Sequence, residues 1–511
     1  MKYNKKIILQ TRPSKALVVI LLVSLVIYVI IRTLYLWFAM GTKLEMVLAW
    51  IFLGAELFIM IHAIGYYLNV LRANSPSHYP KIADEEPSIA VLIPARHEPS
   101  DVIEQTLLAC YNLDYENKSI YLLDDSSIVS YKQEANRIAE QFGSVVFSRD
   151  EHRGAKAGII NDCCRTLSEK YVAILDADQN PMPHFLKALV PYLQQDENLA
   201  FVQSPQFYTN CSVNSVAMTS NYQQGIFYEY ICEGKSRNGA MMCCGTNVLM
   251  RRAALEDIGG FDEKTVTEDF ATSLRLHLKG WNTLYINNPL VFGMAPQDLI
   301  AYFKQQSRWS MGNTQVFKSV IRAFFTQPFR LTTRQWFEYF ITGTYYFIAW
   351  AYLFLFAFQL IFTFLNVPSF FMDPYVYTTT FIPYFLLALA VFYSSMGLRH
   401  YAFSNILKTH LLTILSIPVY LRTTLLGLIN IHSKFQVTPK TGSTRVPYRL
   451  LWGQIFFWVL NLIAMTWGIL RWIYERNMGI LFNVFWLFVH AIVFSSIFYF
   501  NENEWVQEQE I

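Results

Sequence analysis

The sequence predicts an α/β domain with a mostly parallel sheet, inserted in an α-helical membrane bundle of about six spans with amphipathic helices at its interface. Three observations predict it. Apolar residues make up 53% of the 511 residues and charged ones only 15%, a composition too greasy for a wholly soluble protein and wrong for a disordered or collagen-like one. Six apolar runs reach the ~20 residues that a helix needs to cross a bilayer. Between the second and third lie roughly 260 mixed residues, the size of one large domain, in which short apolar runs alternate with helix-like stretches. A net charge of +3 gives no basic surface for nucleic acid.

The spans are expected near residues 16–40, 45–71, 336–365, 375–397, 450–470 and 479–500. The first run is too long for a signal-peptide core and lacks a small-residue cleavage site, so it is expected to remain as an anchor. Basic loops stay in the cytoplasm. Lys2, Lys5, Lys6, Arg12 and Lys15 precede the first span, and Arg399, Lys408, Arg422, Lys434, Lys440, Arg445 and Arg449 lie between the fourth and fifth. This places the domain and both termini on the cytoplasmic side of the plasma membrane. Arg471, Arg476 and the acidic tail (Glu502, Glu504, Glu508, Glu510) run against the rule. Arg32 and Glu56 fall about 12 and 16 Å from the outer ends of the first two spans, at ~1.5 Å per residue. They either pair inside the bundle, or Arg32 snorkels outward while Glu56 is protonated or lines a tunnel.

Within the domain, residues 88–94, 119–123 and 171–175 read as buried strands, with a helix over 100–112 between the first two. The second strand runs into Asp124-Asp125-Ser126 and the third into Asp176-Ala177-Asp178. Acids at strand ends in a parallel α/β sheet converge on one crevice, where such sheets bind ligands. Paired carboxylates there suit a hard cation such as Mg²⁺ or Mn²⁺, which shares oxygen ligands with phosphates. The seven cysteines form no CxxC pair and no zinc-like spacing, and read as reduced cytosolic thiols.

Two segments look interfacial. Over 313–327, Phe317, Val320, Ile321, Phe324 and Phe325 recur at helical spacing, with Lys318 and Arg322 facing away; this fits a helix on the membrane surface or a core helix of the domain. Residues 410–432 are apolar but carry Arg422 and are broken by Pro418, which suits a bent interfacial or re-entrant helix. The expected division is 1–71 (tail and first two spans), 72–312 (domain), 313–335 (interface helix), 336–397 (third and fourth spans), 398–449 (interface helix and loop) and 450–511 (last two spans and tail).

The ordered set Asp124-Asp125, Asp176-x-Asp178, Thr267-Glu268-Asp269 and Gln305-x-x-Arg308-Trp309 resembles the signature of processive family-two glycosyltransferases, the cellulose synthase-like group. Lys156-Ala157-Gly158, the run 202–206, Cys244-Gly245-Thr246 and Phe435-x-Val437-Thr438-Pro439-Lys440 extend the likeness over the domain and most of the membrane part. Two departures are Arg96-His97-Glu98, where the family often has Tyr-Asn-Glu, and Ser126 in place of the usual Gly.

The resemblance implies a GT-A-like domain that binds a UDP-sugar. Asp125 would meet the uracil, and Lys156, Gln305 and Arg308 would lie by the nucleotide and its diphosphate. Asp176 and Asp178 would hold nucleotide and metal, Mg²⁺ or Mn²⁺. Asp269 would be the general base of an inverting displacement, with Trp309, Glu268, Cys244 and Gly245 on the acceptor side. Thr438 and Lys440 would belong to a gating loop that closes over the donor. A processive enzyme would thread its polysaccharide through its own spans. The TED and FxVTxK forms favour UDP-glucose and a β-glucan, against a hyaluronan-like or capsular polymer. The chain ends at Ile511 without the cyclic di-GMP-binding domain of many bacterial cellulose synthases, so such regulation, and any accessory export step, is expected from partner subunits. A non-processive transferase acting on a lipid-linked acceptor would share the first acids but not need Gln305-x-x-Arg308-Trp309. A passive channel would leave the acids without a purpose.

Overall fold

The computed structural model describes residues 13–73, 80, 86–430 and 445–502. Two long helices, α1 (Lys15–Trp37) and α2 (Lys43–Arg72), come first. The domain begins with β1 (Ile89–Ala95), α3 (Ser100–Tyr111), β2 (Lys118–Asp124), α4 (Val129–Gln141), β3 (Val145–Ser148) and α5 (Ala155–Cys164). It continues with β4 (Tyr171–Ile174), β5 (Asn180–Pro181), α6 (Phe185–Gln195), β6 (Leu199–Gln203) and β7 (Phe207–Tyr208). Helix α7 (Ser215–Ile226) runs through a π-helical stretch, Phe227–Cys232, into α8 (Glu233–Arg237). Then come β8 (Val248–Arg251), α9 (Arg252–Asp257), α10 (Glu268–Lys279), β9 (Asn282–Tyr285) and β10 (Val291–Gly293). Helix α11 (Leu299–Thr326) leads out to α12 (Thr333–Thr344), α13 (Ile348–Leu365), α14 (Pro374–Leu398), α15 (Phe403–Leu415), α16 (Ile417–Leu428), α17 (Trp452–Glu475) and α18 (Met478–Asn501).

Seven strands form one sheet in the order β3-β2-β1-β4-β8-β6-β9. All neighbours are parallel except β8, which runs against β4 and β6. Residues of β1, β4, β6 and β8 are buried almost throughout, because helices cover both faces; that is why these strands read as unbroken apolar runs instead of alternating ones. One core, around Val91, Leu122, Leu189 and Val202, fills one face, and another, around Leu92, Ile160, Met250 and Tyr285, fills the other. From β1 the chain steps outward to β2 and β3, then returns to place β4 on the other side. Such a reversal opens a crevice at the carboxyl ends of the strands. Register brings the acids there: Ala95 pairs with Asp124, and Leu92 with Ile174 just before Asp176.

Six helical stretches are long and apolar enough to cross a membrane: Lys15–Trp37, Lys43–Arg72, Thr333–Leu365, Pro374–Leu398, Tyr448–Glu475 and Met478–Asn501. They make the chain a multi-pass membrane protein. Arg32 and Glu56 are a pair: Arg32 Nε lies 3.2 Å from Glu56 Oε2, and Tyr28 donates to Oε1 at 2.8 Å. Arg32 is wholly buried, its guanidinium 4.2 Å from the Phe370 ring centroid. Arg471, which ran against the charge rule, donates to Phe362 O, Thr363 O and Asn366 Oδ1 at the end of α13. Its charge is met by that helix C-terminus and by Glu475, 2.7 Å from its Nε.

Two expectations change in detail. The amphipathic segment 313–327 is the second half of α11, so the expected boundary at residue 312 falls inside a helix. Val320 and Ala323 are buried, and Phe317 and Phe324 pack with Trp336 and Tyr339 of α12, leaving only Ile321 and Phe325 of the apolar residues exposed. The broken helix consists of α15 and α16, bent by 47°. The break comes at Ser416, because Pro418 sits in the first turn of α16, where a missing N–H costs nothing. Domain and bundle are riveted together by Arg399 at the end of α14, which reaches Glu229 (2.8 Å) and Glu233 (2.9 Å). A buried set of Asn69, Glu338 and Asn238 joins α2, α12 and the end of α8.

Candidate active site

The crevice is a cavity of about 450 Å³ into which Asp125, Lys156, Asp176, Asp178, Cys244, Gly245, Glu268, Asp269, Gln305, Arg308 and Trp309 all project. Every expected site residue among the described ones is brought together there. Thr438 and Lys440 lie outside the described residues.

At the β2 end, Asp125 is held on both oxygens. Arg149 donates from Nε to Oδ1 (2.8 Å) and from Nη2 to Oδ2 (3.1 Å), and His152 Nδ1 lies 2.8 Å from Oδ1. Burial works to raise this carboxyl, yet Arg149 and His152 together hold it below the ordinary range. Arg149 also bonds Ala155 O (3.1 Å) and Asp162 (3.1 Å), which ties the start of α5, and with it Lys156, to the same strand end. The sequence reading missed Arg149 and His152. A signal existed: β3 pairs Ser148 with Asp124, so the residue after β3 must emerge beside Asp125.

Lys156, on the first turn of α5, reaches Asp176 Oδ1 (2.5 Å) and Gly245 O (2.8 Å). Burial pulls its pKa down, but Asp176, Glu268 and Asp269 carry it above the ordinary value. Gln203 accepts from Cys244 N (2.9 Å) and donates to Thr246 O (2.8 Å), fixing the loop that carries Gly245. Gly245 has φ 80°, and a Cβ there would stand 3.3 Å from Asp269 Oδ2. Glycine is required for the backbone and leaves the approach to Asp269 open.

Glu268 and Asp269 open α10. Asp269 also takes the Phe270 amide at 2.8 Å, so a place in the first helical turn and a place in the cavity coexist. Burial raises Glu268 to about 7, helped by the Asp269 charge, and burial raises Asp269 to about 6, with the Phe270 amide and Lys156 pulling the other way. Both carboxyls are thus held above the ordinary carboxylate range, toward the pH at which a general base is most useful. Helix α11 approaches α10 so closely that a Cβ on Gly312 would fall 2.4 Å from Thr267 Cγ2. This contact sets the helix that presents Gln305, Arg308 and Trp309. Arg308 is pushed below its ordinary pKa by burial, against the pull of Asp176, Glu268 and Asp178. Trp309 borders the cavity and packs toward Tyr346 and Tyr420 of the membrane part.

Among the described residues no three His, Cys, Asp or Glu side chains gather as a ready-made metal cage. Asp176 and Asp178 supply carboxylate oxygens to the open cavity, and Lys156 occupies only one oxygen of Asp176. Such a partial oxygen set fits a hard cation that completes its shell from phosphates and water.

Residues 87–312 match the family model described as "Glycosyltransferase like family 2". The domain is a family-two glycosyltransferase domain. It is homologous to bacterial cellulose synthase catalytic subunits. The chain is 31% identical over 263 residues to the UDP-forming cellulose synthase 1 catalytic subunit of Komagataeibacter xylinus, covering 49% of this chain and 35% of that one. It is 31% identical over 297 residues to the corresponding subunit of Xanthomonas axonopodis pv. citri (55% and 40%), and 26% identical over 473 residues to cellulose synthase 2 of Novacetimonas hansenii (88% and 29%). The chain thus spans less than half the length of these curated relatives. A mannosyltransferase from Pyrobaculum calidifontis, solved in complex with GDP-Man and Mn²⁺, superposes with a TM-score of 0.55 at 16% identity, over 75% of this chain and 100% of that one. That likeness shows the fold, which is GT-A-like.

Proposed function

We propose that the chain is a UDP-sugar-dependent, processive, inverting glycosyltransferase that builds a β-glucan from UDP-glucose and passes it out through its own membrane helices. The observation that carries this reading is the joint placement of Asp269, Lys156, Asp176, Arg308 and Trp309 around one cavity at the foot of the bundle. Asp125 binds the nucleobase, and Lys156 and Arg308, with Gln305 beside them, neutralise the diphosphate as negative charge grows on it. A divalent cation, Mg²⁺ or Mn²⁺, held by Asp176 and Asp178, would supply further charge neutralisation at the leaving phosphate. Asp269 removes the proton of the acceptor hydroxyl while the anomeric carbon is attacked from the side opposite UDP. Trp309 offers its ring to the terminal sugar of the acceptor, with Cys244, Gly245 and Glu268 around it. Thr438 and Lys440 act from a loop that closes over the donor.

A path outward begins at Trp309. Tyr346 and Tyr420 stand with ring centroids 4.9 Å apart, and beyond them Tyr352, Phe356 and His490 cluster between α13 and α18. Tyr352 Oη, Gln359 Oε1, Asn461 Oδ1 and His490 Nδ1 are buried there with no hydrogen-bond partner among the described residues. Polar atoms in an apolar bundle without partners suit a polymer rich in hydroxyls. The domain and both termini are cytoplasmic in this reading, where UDP-sugars are made.

The test is incubation of the purified full chain with separate UDP-sugars and GDP-mannose plus Mg²⁺ or Mn²⁺. UDP release with a long, linkage-defined glucan from UDP-glucose is expected. Single-sugar products, or polymer only from another donor, would overturn processivity or donor identity respectively.

A further inference from the structure

We infer that the elbow between α11 and α12 is a docking site for anionic lipid headgroups, which holds α11 against the bilayer surface. Between Asp298 and Glu338 the chain has no acidic residue, while Lys318, Arg322, Arg330 and Arg334 surround the elbow. Lys318 is consumed at the end of α16, donating to Gly427 O, Leu428 O and Asn430 Oδ1. Arg322, Arg330 and Arg334 are exposed, with no ion pair among the described residues.

Two aromatic side chains accompany these cations. Phe325 is 77% exposed and Phe329, in the short turn Pro328–Arg330, is 98% exposed. The next ring inward, Phe324, is locked edge-on against Trp336 (5.2 Å) and Phe340 (5.3 Å). The elbow is therefore firmly built, yet presents two phenylalanine rings outward. Helix α12 passes straight into the candidate span Thr333–Leu365, so the elbow lies where a helix enters the bilayer, on the domain's side. Phenylalanines at the acyl boundary and arginines at headgroup phosphates are the complement of that surface.

The site matters because α11 is one continuous helix. Trp309 lies 16 residues before Phe325, ~24 Å along the axis at ~1.5 Å per residue. A lipid grip at one end thus fixes the helix that presents Arg308 and Trp309 at the other.

The experiment is native mass spectrometry of the full chain offered equimolar phosphatidylglycerol and phosphatidylcholine, a readout that does not depend on catalysis. Wild type should retain phosphatidylglycerol preferentially, and the preference should fall with ionic strength. Arg322→Gln, Arg330→Gln and Arg334→Gln should each reduce it, roughly fivefold per arginine. Phe325→Ser with Phe329→Ser should reduce retention of both lipids. Equal retention of the two lipids by wild type, or a preference untouched by all three arginine changes, overturns the inference. So does concentration-dependent dimerisation abolished by the same changes, which assigns the elbow to a second copy of the chain.

Discussion

Asp269 is raised to about 6 by burial while Lys156 works to lower it, and in its proposed role as base it must be ionised to act. Activity should therefore decline as pH falls through about 6. Lys156→Met removes a lowering influence, so the acid limb of kcat/KM should move to higher pH; a limb that stays put would separate Lys156 from the base. Asp269→Asn should cut transfer at least ~10²-fold while UDP binding, followed by calorimetry, persists. Arg149 grips Asp125 with two parallel bonds, a geometry that lysine cannot copy. Arg149→Lys should weaken UDP binding by roughly tenfold, the worth of one charge-assisted hydrogen bond, with little loss of folded yield. Unchanged UDP affinity would show that Asp125 needs no such clamp. Asp125, Asp176 and Asp178 were legible because strand ends announce them, whereas Glu268 and Asp269, which open α10, were legible only through the family resemblance. Arg149 and His152 were not, because their meaning depends on β3 lying beside β2, a pairing that no periodicity reveals.

Helix α11 joins two roles that the sequence presents as separate. Its first half carries Gln305, Arg308 and Trp309, and its second half has the amphipathic spacing of a surface helix. Spacing alone cannot tell a face that meets lipid from one that meets α12, since both are apolar; the aromatic contacts of Phe324 with Trp336 and Phe340 decide it. The close approach of Gly312 to Thr267 makes a test at this scale. Gly312→Val should force α11 away from α10, lowering stability by ~1–3 kcal/mol as overpacking does and reducing transfer more than UDP binding. A variant with wild-type melting and turnover would show that the two helices can part freely. The three strands expected in the domain and the six apolar stretches emerged close to their expected bounds, because burial on both faces and span length leave strong compositional marks. The bend was legible too: the helix breaks at Ser416, two residues before Pro418, because a proline is tolerated in the first turn of α16.

At the scale of the whole molecule, two arginines in largely enclosed ion pairs hold the parts in place. Arg399 serves both Glu229 and Glu233, and burial raises Glu229 despite that partner. Arg399→Ala leaves two enclosed carboxylates and should cost about 3–5 kcal/mol, seen as a lower melting temperature. Adding Glu229→Gln and Glu233→Gln should recover much of the loss, and no recovery would mean that Arg399 acts through packing alone. Arg32→Glu and Glu56→Arg should each reduce folded yield, with the double exchange restoring it. The Arg32–Glu56 pair also bears on biogenesis. A charge left unpaired in a span disfavours partitioning, by up to about 2.5–3.5 kcal/mol at the centre of the helix, and α1 and α2 are separated only by a short turn from Trp37 to Lys43. The two helices should thus leave the translocation machinery together, as a hairpin that has already neutralised itself, and a chain cut after Gly41 should integrate its single helix less efficiently than the same chain carrying Arg32→Leu.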